Sequence, residues 1–302
     1  MKTIETDALR IAYLEDGPHD GWPVILSHGF PYDVHAFEQD AKLLAEMGAR
    51  VIRPYVRGFG PTRFLSDAAM RNGQQVARAL DIVQLADALR LDRPILGGFD
   101  WGANASCVVA ALWPERIGGL VSYASYDIID VAAQRRPAPP SLEHICWYQH
   151  LFQSERGREC LAEHWRALCA MLWRQWSPTW AFDAAVFDRS AVAFENPDFV
   201  DVVIHCYRFM LGHDDGDPAL RRFEDRLATK PPIRVPTVAI DGTVDPLKPG
   251  GTADHDTLFA GPHERRTVEA GHAIPLEMPG MFADAVRTVR LWGDDRSGAN
   301  TG

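Results

Sequence analysis

The sequence predicts an α/β protein with a mostly parallel central sheet that helices cover on both faces. Two observations lead to this prediction. Short apolar runs of strand type alternate with longer runs of helical periodicity over residues 23–124, and such alternation implies right-handed crossovers between parallel strands. In addition, 302 residues are enough for one large domain or a domain with an insertion.

The first part of the chain supplies most of the predicted sheet. Residues 4–16 have the pattern of a β-hairpin, and Gly17 to Gly21 form a turn region after it. Apolar, β-branched runs predict the strands that follow, and 3.6-residue periodicity predicts the helices between them. The strands are at 23–27, 50–54, from Pro94 towards Gly98 and at 117–124, and the helices are at 36–47, 74–91 and 103–112.

The pattern of apolar residues along the sequence changes near Asp130. Residues 135–230 contain no strand-like run, are helical in pattern and are interrupted by several prolines. Strand-type sequence returns at 235–240 and 265–268, and a last helix is predicted at 278–291. We therefore predict a core of residues 1–133, an inserted helical cap or lid of residues 134–230, and a second core segment of residues 231–302.

Composition excludes several classes of protein. A net charge of −10 opposes electrostatic binding to the phosphate backbone of nucleic acid, so we expect no nucleic-acid partner. Residues 1–7 lack the apolar core of a signal peptide, and no apolar run reaches the length of a membrane span. The five cysteines are scattered without C-x-x-C spacing, which predicts reduced thiols in a cytoplasmic protein and no zinc site.

The central motif is Gly98-Phe99-Asp100-Trp101-Gly102, between a predicted strand and a predicted helix. It has the form of the G-x-S-x-G nucleophile elbow with aspartate in place of serine. A carboxylate is ionised at neutral pH and can displace a leaving group from saturated carbon, which forms an alkyl ester on the enzyme. An Asp in a Gly-flanked turn is also common in itself, so the assignment of Asp100 as a nucleophile depends on its partners.

An alkyl ester needs a base for its hydrolysis, and His272 is the candidate because it follows the last predicted strand. A carboxylate should orient its imidazole. Asp245, after the preceding strand, is favoured over Asp241, Asp127 and Asp130. The order nucleophile, acid, histidine along the chain fits these assignments.

Two backbone N–H groups should stabilise the oxyanion that forms during ester hydrolysis. The first belongs to Trp101, the residue after the nucleophile. The second is assigned to Phe30 in His28-Gly29-Phe30-Pro31, where Gly29 lets the backbone approach closely. We interpret His28 as a structural hydrogen-bonding residue.

Taken together, these motifs resemble the α/β-hydrolase fold, and specifically its epoxide hydrolase branch. The resemblance covers nearly the whole chain. It includes His28-Gly29-Phe30-Pro31, the segment from Arg57 to Leu65, the Asp100 elbow, Trp113-Pro114-Glu115-Arg116, and the loops of Asp245 and His272. It implies an epoxide hydrolase that forms an alkyl-enzyme ester on Asp100 and needs no cofactor or metal.

The leaving group decides between this branch and the haloalkane dehalogenases, which share the elbow. Epoxide hydrolases place two lid tyrosines over the nucleophile to protonate the ring oxygen, and Tyr148 and Tyr207 stand in contexts similar to theirs. Dehalogenases hold halide with N–H donors, which Trp101 could supply, whereas Phe30 has no side-chain donor. We also expect Trp101, Phe30 and Trp147 to contact substrate.

Two alternatives stay open at this point: a haloalkane dehalogenase with the same Asp/His/Asp triad, and a non-catalytic ligand-binding member of the fold. The aromatic-rich insertion favours a small apolar epoxide, with water as the second substrate. We expect no membrane partner, and a homodimer stays open as an assembly.

Overall fold

The computed structural model describes the backbone of residues 1–299 and the side chains of residues 1–293. The last three residues of the predicted second core segment lie outside this range. The centre of the described structure is a nine-stranded sheet. The strands of this described part are β1 (Lys2–Glu5), β2 (Leu9–Asp16), β3 (Trp22–Ser27), β4 (Ala49–Pro54), β5 (Arg63–Phe64), β6 (Ile95–Gly98), β7 (Gly119–Tyr123), β8 (Thr237–Gly242) and β9 (His263–Val268).

The strand order in the sheet is β1-β2-β4-β3-β6-β7-β8-β9, with β5 paired to β2. The hairpin strands β1 and β2 are antiparallel, and β2 pairs antiparallel with β4. From β4 to β9 all pairs are parallel, so their carboxyl ends meet at one edge. The order reverses around β3 and β6, and a site is expected at such a switch point.

The alternating side chains of the central strands build a core on each face of the sheet. In β3, Val24 and Leu26 belong to one buried apolar cluster and Ile25 belongs to the other. In β4, Val51 and Ile52 divide between the clusters in the same way. This is the period-2 alternation of a strand that is covered on both faces.

Helices cover both faces and form the whole regular structure between β7 and β8. None of the helices within residues 1–299 is long and apolar enough to cross a membrane. The α-helices of this range are α1 (Glu38–Glu46), α2 (Gln75–Ala88), α3 (Trp101–Leu112), α4 (Pro140–Ile145), α5 (Trp147–Leu151), α6 (Glu155–Trp176), α7 (Ala184–Ala191), α8 (Phe199–Met210), α9 (Arg221–Ala228), α10 (Ile274–Glu277) and α11 (Met281–Ala299).

Several element boundaries differ from the sequence predictions for identifiable reasons. The strand predicted at 235–240 is β8, which starts at Thr237 because Pro236 has no N–H to donate to a ladder. The strand predicted at 117–124 ends at Tyr123, since Ala124 and Ser125 have left-handed φ values of 52° and 62°. The short strand β5 and the helix α10 were not predicted.

Candidate active site

The turn at Asp100 has the geometry of a nucleophile elbow. Asp100 lies between β6 and α3 with φ 53° and ψ −128°, a conformation that costs energy for any residue with a side chain. A Cβ on Gly102 would lie 1.9 Å from the carbonyl oxygen of Ser27, and one on Gly98 would lie 2.3 Å from the carbonyl carbon of Gly102. The two glycines of the motif are therefore required for the close contact of strand, turn and helix.

A backbone N–H group already contacts the carboxylate at the tip of the turn. The N–H of Phe30 donates to Oδ1 of Asp100 at 2.7 Å. A Cβ on Gly29 would lie 2.1 Å from this oxygen and 2.5 Å from the backbone nitrogen of Trp101. Three groups thus meet at one point: the backbone next to Phe30, the N-terminus of α3 and the Asp100 carboxylate. An oxyanion could be stabilised there.

His272 lies between two carboxylates. Its Nε2 is 3.3 Å from Oδ2 of Asp100, and its Nδ1 is 3.4 Å from Oδ2 of Asp245. The imidazole is buried, and the backbone N–H of His272 donates to the carbonyl of Trp176 at the end of α6. The loops after β8 and β9 thus bring these predicted residues to the same edge of the sheet as the elbow.

The electrostatic balance at His272 favours its protonated form. Burial lowers the pKa of the imidazole, but the charges of Asp245 and Asp100 and their hydrogen bonds outweigh this effect and raise it to about 9. His272 is consequently an imidazolium at neutral pH as long as Asp100 is ionised. It can act as a base only after one of these carboxylate charges is removed.

Sequence reasoning missed Tyr123, the last residue of β7. Its hydroxyl lies 2.8 Å from Nδ1 of His272 and donates to Oδ2 of Asp245. The hydroxyl therefore bridges the two groups, whose direct separation of 3.4 Å is long for a hydrogen bond. No signal in the sequence distinguished Tyr123 from an ordinary buried aromatic residue at the end of a strand.

The other candidate carboxylates for the orienting role have different partners. Asp241 accepts hydrogen bonds from the backbone N–H and hydroxyl of Thr252. Asp127 pairs with Lys248 at 3.0 Å, and Asp130 pairs with Lys230 at 3.2 Å. Asp245 is the one of these four whose carboxylate is hydrogen-bonded to Nδ1 of His272.

Tyr148 on α5 and Tyr207 on α8 lie together beside the elbow. Their ring centroids are 5.2 Å apart, and both side chains are almost fully buried. Burial raises the pKa of both phenols well above its ordinary value, and the negative charge of Asp100 raises it further. Both are therefore protonated at neutral pH and available as hydrogen-bond donors.

A cavity of about 600 Å³ connects these groups. Asp100, His272, Tyr148, Tyr207 and Trp101 all line it. The lining also contains several charged side chains besides Asp100. These are Arg78, Asp127, Asp130, Lys230, Lys248 and Asp254.

Two predicted substrate contacts lie elsewhere. Phe30 is fully buried, and its ring packs against Trp101 and Tyr207 with centroid distances of 5.7 Å to each. The indole N–H of Trp147 donates to Gln175 at 3.0 Å. Neither residue is part of the cavity lining, so Phe30 contributes its backbone N–H and supports the rings behind the site.

Comparison with known proteins places the chain in a family. The model of the α/β hydrolase fold family matches residues 23–145. A solved structure from Klebsiella pneumoniae subsp. pneumoniae, described as that of a candidate epoxide hydrolase, shares 42% sequence identity with a TM-score of 0.93. The alignment covers 95% of this chain and 96% of that chain.

Curated relatives point to two activities. Epoxide hydrolase B of Mycobacterium tuberculosis is 30% identical over 163 residues, which are 49% of this chain and 45% of the relative. A haloalkane dehalogenase of Mycolicibacterium paratuberculosis is 30% identical over 137 residues, which are 44% of this chain and 43% of the relative. The matches thus span less than half the length of these curated relatives.

The chain belongs to the α/β-hydrolase fold family, and its relatives there are epoxide hydrolases and haloalkane dehalogenases. The predicted resemblance and the predicted fold class are confirmed.

Proposed function

We propose that this hydrolase opens an epoxide to a vicinal diol through an alkyl ester on Asp100. The observation that carries the proposal is the pair of buried phenols, Tyr148 and Tyr207, in one cavity with Asp100 and His272. An epoxide oxygen becomes a strongly basic alkoxide when the ring opens, so a proton donor beside the nucleophile meets a need specific to this reaction.

In the first step, a carboxylate oxygen of Asp100 attacks one epoxide carbon and the bond from that carbon to the ring oxygen breaks. The two phenols hydrogen-bond the ring oxygen, and one of them transfers its proton to it. The imidazolium of His272, 3.3 Å from Oδ2 of Asp100, orients the nucleophile. The products are a hydroxyalkyl ester and a tyrosinate.

Formation of the ester changes the state of His272. Asp100 loses its negative charge, which removes one of the two carboxylates that raise the pKa of the imidazole. His272 can then release a proton, which restores the tyrosine that protonated the ring oxygen. The neutral imidazole is now a base, oriented by Asp245 and Tyr123.

In the second step, His272 takes a proton from water, and the resulting hydroxide attacks the ester carbon of Asp100. The N–H groups of Phe30 and Trp101 stabilise the oxyanion of the tetrahedral intermediate. Collapse of the intermediate breaks the bond to the alkyl oxygen, which takes the proton that the added hydroxyl brought to the Asp100 carboxyl group, and the diol leaves. The enzyme returns to Asp100 carboxylate, His272 imidazolium and two phenols, so protons balance over the cycle.

We also propose that residues 134–230 form a cap domain between core segments 1–133 and 231–302. Both tyrosines come from helices of this segment, α5 and α8. The nucleophile, base and acid come from the sheet edge on the other side of the cavity. The substrate would therefore bind between core and cap.

Haloalkane dehalogenation is a second candidate because of Trp176. Its indole nitrogen is buried and has no hydrogen-bond partner among the described residues, although Trp176 itself is not part of the cavity lining. Its ring lies 5.1 Å from that of His272 and 5.2 Å from that of Tyr148, between centroids. Free N–H donors suit a departing halide, which needs hydrogen bonds and no proton. The two tyrosines favour the epoxide as the primary substrate.

Parallel incubation with styrene oxide, 3,4-epoxybutanoate and 1-bromobutane tests the proposal. Formation of diol from either epoxide supports an epoxide hydrolase, and release of bromide alone identifies a dehalogenase. The Asp100→Asn variant serves as the control for both reactions. If the wild-type protein forms neither diol nor bromide, the proposed function is wrong and a binding role for this cavity becomes the better explanation.

A further inference from the structure

One buried arginine in the cavity has no carboxylate partner. Four arginines are buried among the described side chains, each at most 7% exposed. Three of them pair with a carboxylate at 2.7–2.8 Å. For Arg78, no carboxylate of residues 1–293 lies within the 4.0 Å of an ion pair. The three pairs are Arg50–Glu15, Arg53–Asp16 and Arg57–Asp81.

The groups that contact Arg78 are neutral. One terminal nitrogen donates to Oδ1 of Asn104 at 2.6 Å, and the other donates to Sγ of Cys206 at 2.9 Å. Burial raises the pKa of the Cys206 thiol, which keeps it neutral. The guanidinium lies 4.7 Å above the ring of Trp101, and its Nε is buried without a partner among the described residues.

The carboxylates near Arg78 are bound to other groups. Asp81, one turn further along α2, pairs with Arg57 at 2.7 Å. Glu224 accepts hydrogen bonds from the side-chain amides of Gln74 and Gln75. A buried cation without a counter-charge is unfavourable, and the described part of the chain does not supply one here.

Arg78 is placed to contact a substrate that reacts at Asp100. Arg78, Asn104, Cys206 and Trp101 all line the cavity that contains the nucleophile. Asn104 follows Asp100 by one turn of α3, and its N–H donates to the carbonyl of Asp100. The residue that accepts a hydrogen bond from Arg78 is therefore one helical turn, about 5.4 Å of rise, from the nucleophile.

We propose that Arg78 binds an anionic group of the substrate, and that the substrate is an epoxide that carries a carboxylate. This inference rests on the proposed epoxide hydrolase activity. A carboxylate would supply the missing counter-charge to the guanidinium, which binds carboxylates through paired N–H groups. The epoxide end would then lie at Asp100 and the two lid tyrosines.

The cationic side chains of the lining favour a single negative charge on the substrate, and the carboxylate of Asp254, which also lines the cavity, is at an exposed position. Lys248 and Lys230 also line the cavity, but each is paired with an aspartate. Arg78 is thus the one cationic side chain of the cavity lining without a carboxylate partner among residues 1–293. One guanidinium balances one carboxylate, whereas a phosphate with close to two charges would leave one of them unpaired.

A matched pair of substrates tests the inference. 3,4-Epoxybutanoate and 1,2-epoxybutane share four carbons and the same terminal epoxide, and differ by a carboxylate in place of a methyl group. We expect wild-type kcat/KM to be at least about 10-fold higher for the epoxybutanoate. Arg78→Gln should lower it about 100-fold for the epoxybutanoate and by less than about 3-fold for the neutral epoxide.

Two further variants separate recognition from structure. Arg78→Lys keeps the charge and should recover part of the preference. Arg116→Gln changes net charge equally at a partly exposed position that pairs with Asp87, and should leave the preference intact. Equal losses on both epoxides in Arg78→Gln, or a wild-type preference for the neutral epoxide, would overturn the inference.

A binding measurement keeps the inference testable if Arg78→Gln does not fold or if neither epoxide reacts. Thermal denaturation of the wild-type protein is followed with butanoate and with butanamide at equal concentrations. We expect stabilisation by butanoate and a smaller effect of the neutral amide. Equal shifts of the denaturation temperature with the two compounds would reject the anion site even if epoxides are hydrolysed. Selective stabilisation by butanoate without any turnover would reject the proposed reaction but support the anion site.

Discussion

The hydroxyl of Tyr123 lies 2.8 Å from Nδ1 of His272 and, on its other side, donates to Oδ2 of Asp245. The acid and the histidine of the proposed triad are therefore connected through a third side chain as well as directly. A buried hydroxyl in this position fixes the orientation of the imidazole ring. It also shares the carboxylate of Asp245 between two donors.

Removing the Tyr123 hydroxyl should slow hydrolysis of the ester more than its formation. We expect Tyr123→Phe to lower kcat about 10-fold, because the base loses one of its two orienting contacts. Rapid-quench measurement of ester formation and decay separates the two steps. Tyr13→Phe changes another buried tyrosine, on β2, and should behave as wild type. An unchanged rate of ester decay in Tyr123→Phe would exclude the bridging role.

Neutralising Asp100 should lower the pKa of His272 from its value of about 9. Asp100→Asn removes one of the two charges that favour the imidazolium, whereas Asp245 still contributes. The imidazole should then lose its proton at lower pH than in the wild-type protein. NMR titration of the ring nitrogens measures the change, with Asp241→Asn as the control for a buried carboxylate bonded elsewhere. A pKa unchanged by Asp100→Asn would remove the proposed trigger for base catalysis.

The ester mechanism predicts where the oxygen of water goes. In a single turnover with excess enzyme in H₂¹⁸O, the label should enter the Asp100 carboxylate, and the diol should carry unlabelled oxygen. Attack of water on the ester carbon has this consequence because the carbon–oxygen bond made by Asp100 stays in the product. Mass spectrometry of the peptide that contains Asp100 and of the diol measures both. Label in the diol of the first turnover would indicate direct attack of water on the epoxide.

The two lid tyrosines should act on ring opening. We expect Tyr148→Phe and Tyr207→Phe each to reduce the rate of ester formation about 10-fold or more, and the double variant to lose about 1000-fold. Any release of bromide from 1-bromobutane should be reduced far less, since halide needs no proton. Stopped-flow measurement of tryptophan fluorescence, to which Trp101 of the cavity lining contributes, can follow ester formation. Near wild-type ring opening in the double variant would contradict the assignment.

A buried carboxylate far from the cavity should make stability depend on pH. Burial raises the pKa of Asp40 to about 7, although backbone N–H groups at the start of α11 lower it. The folded protein therefore holds this proton where the unfolded chain has released it, so stability falls as pH rises from about 4 to 7. Asp40→Asn should be as stable as wild type at pH 4 and roughly 1–4 kcal/mol more stable at pH 8.

The difference between the two proteins isolates this carboxylate from all other titrating groups. Urea denaturation at a series of pH values gives the free energy of unfolding of each protein. A difference that is the same at pH 4 and pH 8 would show that ionisation of Asp40 is not its cause. The control is Asp92→Asn, which removes a carboxylate at an exposed loop position after α2.

Local sequence patterns were enough to predict the sheet and the elbow. The glycines around Asp100 report a turn that only glycine permits, and the loops of Asp245 and His272 follow from the order of the strands. Each of these signals lies within a few residues of the feature that it predicts. The family resemblance adds predictions for residues without such a local signal. Tyr148 and Tyr207 were predicted from that resemblance, and the structure brings them beside the elbow.

Tyr123 and Arg78 could not be predicted in this way because their roles depend on contacts far along the chain. Tyr123 contacts residues 122 and 149 positions away, and at the end of a strand it has the pattern of a core residue. Arg78 lies on an amphipathic helix, where an arginine usually faces solvent. The charged side chains of the cavity lining could not be predicted for the same reason, since they come from segments far apart in the chain.

The hydrogen bond from the backbone of His272 to the carbonyl of Trp176 joins the loop of the base to the last residue of α6. The same residue, Trp176, also packs its buried indole on the imidazole of His272, with the ring centroids 5.1 Å apart. The position of the imidazole is consequently set by the helical segment as well as by the sheet edge. Changes that loosen α6 at this end should therefore appear in the protonation behaviour of His272 before they appear in the shape of the cavity.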